Sequence, residues 1–403
     1  AILSRGLGDV YKRQVKTHNA IAESGLTMLT EASFSVSEEE NDPDAIILRS
    51  YKLPVDELNN SLKAVARAGA GFNNVPVKEC SEKGIVVFNT PGANANAVKE
   101  IVLAGLLMSS RGIYAGASFV NEINGIDSKD LKAHIELGKK EFKGRELKGA
   151  TLGVVGMGAI GAQVAGMGVF LDMEVIGYDP AITVEAAWKL PNNVSRTDNL
   201  KTIFTNSDYV TLHVPAIEAT KNLIDHSVLS ECKADLKLIN FARDEIVDSG
   251  AIIKALESGQ LGSYVTDFAD LDLIKRAKEV GDVIILPHIG ASTRQAEENC
   301  SVMAADQLKD FLENGNIKNS VNFPELIEER QSDFRLTLSN RNVAGMIGQI
   351  TTILAENNIN IVELINKSRE EIAYNVIDLE TKPSDKVIED LEALENVINV
   401  RSI

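Results

Sequence analysis

Two side chains in this sequence are suited to moving a proton beside a bound anion. They are Arg243, in INFARDEIVD (239–248), and His288, in IILPHIGAST (284–293). Each follows an apolar run that reads as a buried strand. An arginine in that place suits two-pronged capture of a carboxylate. A histidine titrates in the range needed to take a hydroxyl proton while hydride leaves an alcohol carbon. Both also have plainer readings. Arg243 as a surface cation would pair with Asp244, Glu245 or Asp248. His288 as a core ring would be hydrogen-bonded to backbone.

The upstream sequence supplies a partner for that chemistry. Gly156-Met157-Gly158-Ala159-Ile160-Gly161 is a GxGxxG that follows the strand TLGVV and opens a helix. Glycines let the backbone approach a pyrophosphate, and the helix N-terminus favours its charge. The next strand, EVIGYD, ends in Asp179, 18 residues after Gly161. A carboxylate there accepts both ribose hydroxyls and repels a 2′-phosphate, which selects NAD over NADP. The alternative is a glycine-rich packing turn with a solvated aspartate.

Such residues need a sheet whose strand ends face one crevice. AIILRS (45–50), LKAVARAG (62–69) and GIVVFNTPG (84–92) read as strands, followed by a buried helix over 95–112. Further strands are expected near 151, 174, 209, 236, 262 and 283, with helices between several of them. That alternation implies parallel sheets with right-handed crossovers. A long amphipathic helix is expected over 292–315, then a polar linker, NSVNFPELIEERQSDF. From Phe334 a βαββαβ unit of about 70 residues follows, the ferredoxin-like arrangement. The expected fold is α/β: two doubly wound parallel-sheet domains and a C-terminal ferredoxin-like domain.

Composition sets outer limits. A net charge of -17 argues against nucleic acid and anionic membrane surfaces. The three cysteines, Cys80, Cys232 and Cys300, are too scattered for a disulfide framework or a zinc site. No metal is expected, and a reducing cytoplasmic setting fits. Residues 151–171 carry no charge over the length of a membrane span, but six glycines between Gly153 and Gly168 suit a strand, turn and helix better. Residues 1–14, AILSRGLGDVYKRQ, match nothing that follows. They read as an extension foreign to the fold, with a basic arm as the alternative.

In chain order, GMGAIG, YDP, HVP, NFARDEIVD and PHIGAST resemble the D-2-hydroxyacid dehydrogenase family, and the likeness runs from residue 15 to 403. ILRS, ARAGAGFNN and VFNTPGANANAVKE resemble the substrate-domain loops of its members that oxidise 3-phosphoglycerate, and the tail resembles an ACT domain. The resemblance implies a substrate-binding domain (15–94 and 287–323), a Rossmann NAD domain (95–286) and an ACT regulatory domain (333–403). It implies oxidation of 3-phosphoglycerate to 3-phosphohydroxypyruvate with NAD, the first step of L-serine synthesis. Another 2-hydroxyacid dehydrogenase, such as a glyoxylate or hydroxypyruvate reductase, and a non-catalytic NAD-binding regulator remain open.

The same resemblance assigns roles. Arg243 would hold the substrate carboxylate, and His288 would be general base in oxidation and general acid in reduction. Asn240, Phe241, Ala242 and Asp267 would lie near the nicotinamide, and Ala70, Val214 and Gly290 would line the cofactor. Arg49, Ser50 and Arg67, backbone from Gly69 to Asn73, and Asn89 would take the phosphorylated substrate. Arg49 and Arg67 could equally be salt-bridged surface residues. Asn342 and Asn360, with Asn340, would bind L-serine, unless the ACT domain only dimerises. The implied assembly is a homodimer or homotetramer.

The sequence departs from the family at one point of consequence. The family motif DVFxxEP supplies a glutamate to the catalytic histidine, but here the stretch is DFADLDLIKRA (267–277). The equivalent position is Asp272, expected as the histidine's partner. Asp270 or no carboxylate at all are the alternatives.

Overall fold

The computed structural model describes residues 12–19, 21–188 and 190–403. The chain divides into two compact units. One holds residues up to Asn94 together with Arg294–Ile403; the other is Ala95–Thr293. The return to the first unit, expected at 287, comes at 294.

The first unit opens with five parallel strands in the order β2-β1-β3-β4-β5. They are β1 (Gln14–His18), β2 (Ser35–Ser37), β3 (Ala45–Leu48), β4 (Ala64–Arg67) and β5 (Val86–Phe88). β3 is buried along its whole length, which explains its unbroken apolar run. The helix Arg294–Asn314 covers one face, seating Ala304, Leu308, Phe311 and Leu312 against Val15, Ala45, Ala66 and Phe88. Of the suspected extension, residues 1–11 lie outside the described residues. Gln14, inside the stretch expected to be foreign to the fold, belongs to β1, with its amide bonded to Asp44 Oδ2 at 2.8 Å.

The expected linker is no loose tether. Phe323 and Leu326 are buried in the same core as Phe88. The Asn322 side chain accepts from Val87 N at 2.8 Å and donates to Ser81 Oγ and the Ile85 carbonyl. These contacts strap the segment along β5. The polar composition was misleading because its amides satisfy a strand edge.

The C-terminal part is an antiparallel sheet whose strands are numbered after the seven of the second unit. They are β13 (Phe334–Arg341), β14 (Ile361–Arg369), β15 (Ile372–Leu379) and β16 (Val397–Ser402), in the order β14-β15-β13-β16. Helices Met346–Glu356 and Asp385–Glu392 complete the βαββαβ order. β15 is buried on both faces. Ile377 and Leu379 meet Ile350, Leu354 and Leu391, while Ile372, Tyr374 and Val376 join the core around Phe88 and Phe311. Arg335, fully buried, bonds both oxygens of Asp378 (2.6 and 2.9 Å) and the carbonyls of Asn314, Glu328 and Glu329. Arg401 donates to the carbonyls of Phe311 and Leu312, at the C-terminal end of the long helix where positive charge is favoured.

The second unit is one seven-stranded parallel sheet, order β12-β11-β10-β9-β6-β7-β8. Its strands are β6 (Thr151–Val155), β7 (Glu174–Tyr178), β8 (Val194–Arg196), β9 (Tyr209–Leu212), β10 (Leu236–Asn240), β11 (Leu261–Thr266) and β12 (Val283–Ile285). The winding reverses on either side of β6, which makes its carboxyl end the natural ligand crevice. Residues 151–171 split into β6, a turn and the helix Ala159–Phe170. Among the described residues no single helix is long and apolar enough to cross a membrane.

Candidate active site

The nucleotide turn sits at that crevice. Gly156 follows β6 with φ +90°, a left-handed conformation that favours glycine, and its amide bonds the Tyr178 carbonyl at 2.8 Å. A Cβ on Gly161 would overlap the Gly156 carbonyl, so Gly161 lets helix and turn close up. A Cβ on Gly158 would meet nothing within 4 Å, which leaves its side of the turn open. The helix Ala159–Phe170 starts there with no side chain capping its N-terminus. Free amides, an open glycine and the positive end of a helix suit a pyrophosphate. Asp179, just past β7, accepts from Met157 N (2.8 Å) and Ala181 N (2.9 Å), which fixes its carboxylate beside the turn. Val214 closes the turn from the far side. These residues fit a dinucleotide, with Ala159 and Ile160 in the first helical turn.

Immediately after β9, His213 is half-buried and shares a 3.0 Å hydrogen bond with Thr211 Oγ1. Burial holds its pKa down to about 3, so the ring is neutral at ordinary pH. It packs beside the nucleotide turn, with its carbonyl against Gly156.

His288 is different. It is exposed, lies past β12, and adopts φ +54°, a strained backbone for a non-glycine residue. What holds it is Asp267, buried at the end of β11. Its Oδ1 accepts from Ile289 N at 3.1 Å and its Oδ2 from Gly290 N at 2.6 Å. One carboxylate therefore clamps the two amides after the histidine. The Phe268 ring meets the imidazole edge-on, centroids 5.1 Å apart.

Asp272 does not perform the expected task. Asp270 caps the helix Leu271–Glu279, accepting from Asp272 N (2.9 Å) and Leu273 N (3.2 Å). The helix thus begins at Leu271 and Asp272 stands exposed in its first turn. Among the described residues no carboxylate of this unit forms an ion pair with the His288 ring nitrogens. The capping preference of Asp270 won over the spacing argument.

Arg243 follows β10 on a turn shaped by the fully buried Asn240. That side chain donates to the Arg243 carbonyl (2.8 Å) and accepts from Ala242 N (3.0 Å). Phe241 is buried against the helix Ala95–Ser110. The arginine is half-buried, and among the described residues its guanidinium donates only to the Ala242 carbonyl, at 2.6 Å. It pairs with none of Asp244, Glu245 and Asp248, so the surface-pair reading does not hold in this structure.

The first unit carries a second cationic set. Arg49 follows β3, and its carbonyl accepts from Arg67 Nε and Asn74 Nδ2, both at 3.1 Å. Asn74 also donates to the Tyr51 carbonyl at 2.7 Å, a bracing role the sequence reading missed. The Arg67 guanidinium lies across Gly69, whose φ of +151° favours glycine. Asn89 donates to the Ala70 carbonyl at 2.6 Å, while Ser50 and Asn73 are exposed.

The effector candidates separate. Asn340 is buried, donating to the Arg341 carbonyl and accepting from Asn375, so it is a structural link rather than a ligand. Asn342 and Asn360 are exposed, and Asn342 donates to the Glu370 carbonyl.

Comparison with known proteins agrees with this geometry. Residues 106–290 match the family described as D-isomer specific 2-hydroxyacid dehydrogenase, NAD binding domain, and residues 334–396 match the ACT domain. The chain is 34% identical to D-3-phosphoglycerate dehydrogenase of Synechocystis over 76% of its own length and 54% of the relative's. The corresponding values for the same-named protein of Methanocaldococcus jannaschii are 32%, 84% and 62%. For that of Haemophilus influenzae they are 30%, 82% and 78%. The chain thus spans little more than half the length of the first two. Among solved structures, the NAD-bound 3-phosphoglycerate dehydrogenase of Entamoeba histolytica superposes with TM-score 0.63 at 26% identity, over 78% of this chain and all of that one. D-mandelate dehydrogenase of Rhodotorula graminis shares the fold, with TM-score 0.66 at 24% identity, over 79% of this chain and all of that one. The chain belongs to the D-isomer-specific 2-hydroxyacid dehydrogenase family.

Proposed function

We propose that the chain is an NAD-dependent D-3-phosphoglycerate dehydrogenase, oxidising 3-phosphoglycerate to 3-phosphohydroxypyruvate at the entry to L-serine formation. The observation that carries this reading is the pair presented by the second unit. It combines an exposed histidine clamped in a strained backbone with an arginine that no carboxylate of its own turn neutralises. A binding module has no need of that strain. In oxidation, Arg243 holds the substrate carboxylate and His288 takes the C2 hydroxyl proton; in reduction, His288 returns it. NAD, when bound, supplies the hydride acceptor, held by Gly156, Gly158, Gly161 and Asp179. A phosphorylated substrate is supported by the similarity to relatives named D-3-phosphoglycerate dehydrogenase. Arg49 and Arg67 would take the phosphate.

That no carboxylate pairs with His288 among the described residues favours a second reading, a non-catalytic NAD-binding regulator. Purified protein with NAD and a panel of acids separates them by NADH absorbance. Turnover of 3-phosphoglycerate well above glycerate, glyoxylate or hydroxypyruvate supports the proposal. Preference for an unphosphorylated acid reassigns the substrate, and NADH binding without turnover of any acid supports the regulator.

Two further assignments belong to the same proposal. The ACT part would take L-serine through Asn342 and Asn360, read as a fall in initial rate on serine titration. The helix Ile113–Asn121 has no buried residue and exposes Ile113, Tyr114 and Val120, which suits a homodimer through the second unit. Three buried free thiols suit a reducing cytoplasm.

A further inference from the structure

Arg49, the cation assigned above to the substrate phosphate, already holds an anion from its own chain. Its Nη1 lies 2.7 Å from Oε1 of Glu297, in the first turn of the helix Arg294–Asn314. The pair is partly solvent-exposed, 34% for the arginine side chain and 43% for the glutamate. Arg49 itself is fixed from behind, where its carbonyl takes the Arg67 and Asn74 donors. Among the described residues the Glu297 carboxylate pairs only with Arg49, and its exposure leaves it room to swing into water.

We propose that Glu297 is an internal competitor for the phosphate site. It neutralises Arg49 in the unliganded protein and is displaced when a phosphorylated acid binds. A carboxylate and a phosphate dianion on one guanidinium repel each other, so substrate entry is an exchange of anions. The exchange selects by charge. A dianion with three acceptor oxygens outbids one exposed carboxylate, whereas chloride or a monoanionic acid gains too little to open the pair. Glu297 is thus a specificity determinant that keeps weak anions off Arg49. This rests on Arg49 being the phosphate ligand of the proposed reaction.

The test is Glu297→Gln, which keeps the shape and removes the charge. Exposed pairs of this kind are worth up to about 1 kcal/mol, so KM for 3-phosphoglycerate should fall about fivefold with kcat unchanged. KM for unphosphorylated glycerate, which does not reach Arg49, should not move. Inorganic phosphate, measured by titration calorimetry on the full chain, should bind about fivefold tighter to the variant. An unchanged or raised KM, together with unchanged phosphate binding, would overturn the proposal and make Glu297 an orienting partner of Arg49. Glu297→Ala repeats the comparison should the amide find a new bond. The calorimetric arm needs no turnover. If wild-type protein fails to oxidise 3-phosphoglycerate yet Glu297→Gln tightens phosphate, the functional reading fails and the competitor stands.

Discussion

Replacing Asp267 by asparagine tests the clamp on His288 directly. The carboxylate accepts two backbone hydrogen bonds, from Ile289 and Gly290 at 3.1 and 2.6 Å. Asparagine keeps one acceptor and turns an NH2 group against the other amide. A hydrogen bond to a charged group contributes about 1.5 to 3 kcal/mol. The strained φ of His288 adds a tendency of about 1 kcal/mol to relax once the clamp opens. If about 2 to 3 kcal/mol of positioning is lost from the transition state, kcat falls about 30- to 150-fold. The assay is steady-state NADH absorbance with saturating substrate, beside NADH binding followed by fluorescence. The family role of this residue near the nicotinamide makes the second reading necessary. Asp272→Asn, at an exposed helix position, should stay within about twofold of wild type. The reasoning is refuted if Asp267→Asn changes only NADH affinity and leaves kcat within about threefold, or if Asp272→Asn loses tenfold.

Two further perturbations probe the scaffold. Burial lowers the His213 pKa from 6.5 to about 3, so between those values the unfolded chain binds a proton that the folded protein refuses. Its contribution to stability is therefore full above about pH 6.5 and drains as pH falls, by up to about 1.4 kcal/mol per pH unit. Denaturant midpoints at pH 7 and 5 should converge in His213→Gln, and an unaltered slope would show that His213 does not set it. Asp378→Asn strands the fully buried Arg335 and should destabilise the protein by about 3 to 5 kcal/mol. Calorimetric melting checks this, and a change of under about 1 kcal/mol would refute it.

The strands that carry the chemistry were legible because each has one strong signal. TLGVV with GMGAIG, LKLIN before Arg243 and VIIL before His288 are apolar runs ending in turn residues, and all became strands of the second unit. The short β2 and β8 were missed, being three residues each with no buried position to mark them. Asp267 was placed by resemblance near the cofactor. Its grip on Ile289 and Gly290 was invisible, because neighbouring strand ends are brought together by the sheet and not by spacing. The Asp272 expectation failed for a local reason that the sequence did contain: Asp270 before Leu271 is a helix cap. Asn340 failed for a tertiary one, since alternation along β13 turns it inward toward Asn375. The expected linker shows the same limit, as Asn322 looks solvent-seeking until the open edge of β5 lies beside it.

The central claim is that His288 moves the substrate proton. The most direct measurement is turnover of 3-phosphoglycerate with NAD by wild type and His288→Gln, with NADH affinity measured on both. The account predicts a rate loss of about a hundredfold or more in the variant, with NADH binding unchanged. A variant that retains the wild-type rate would contradict it.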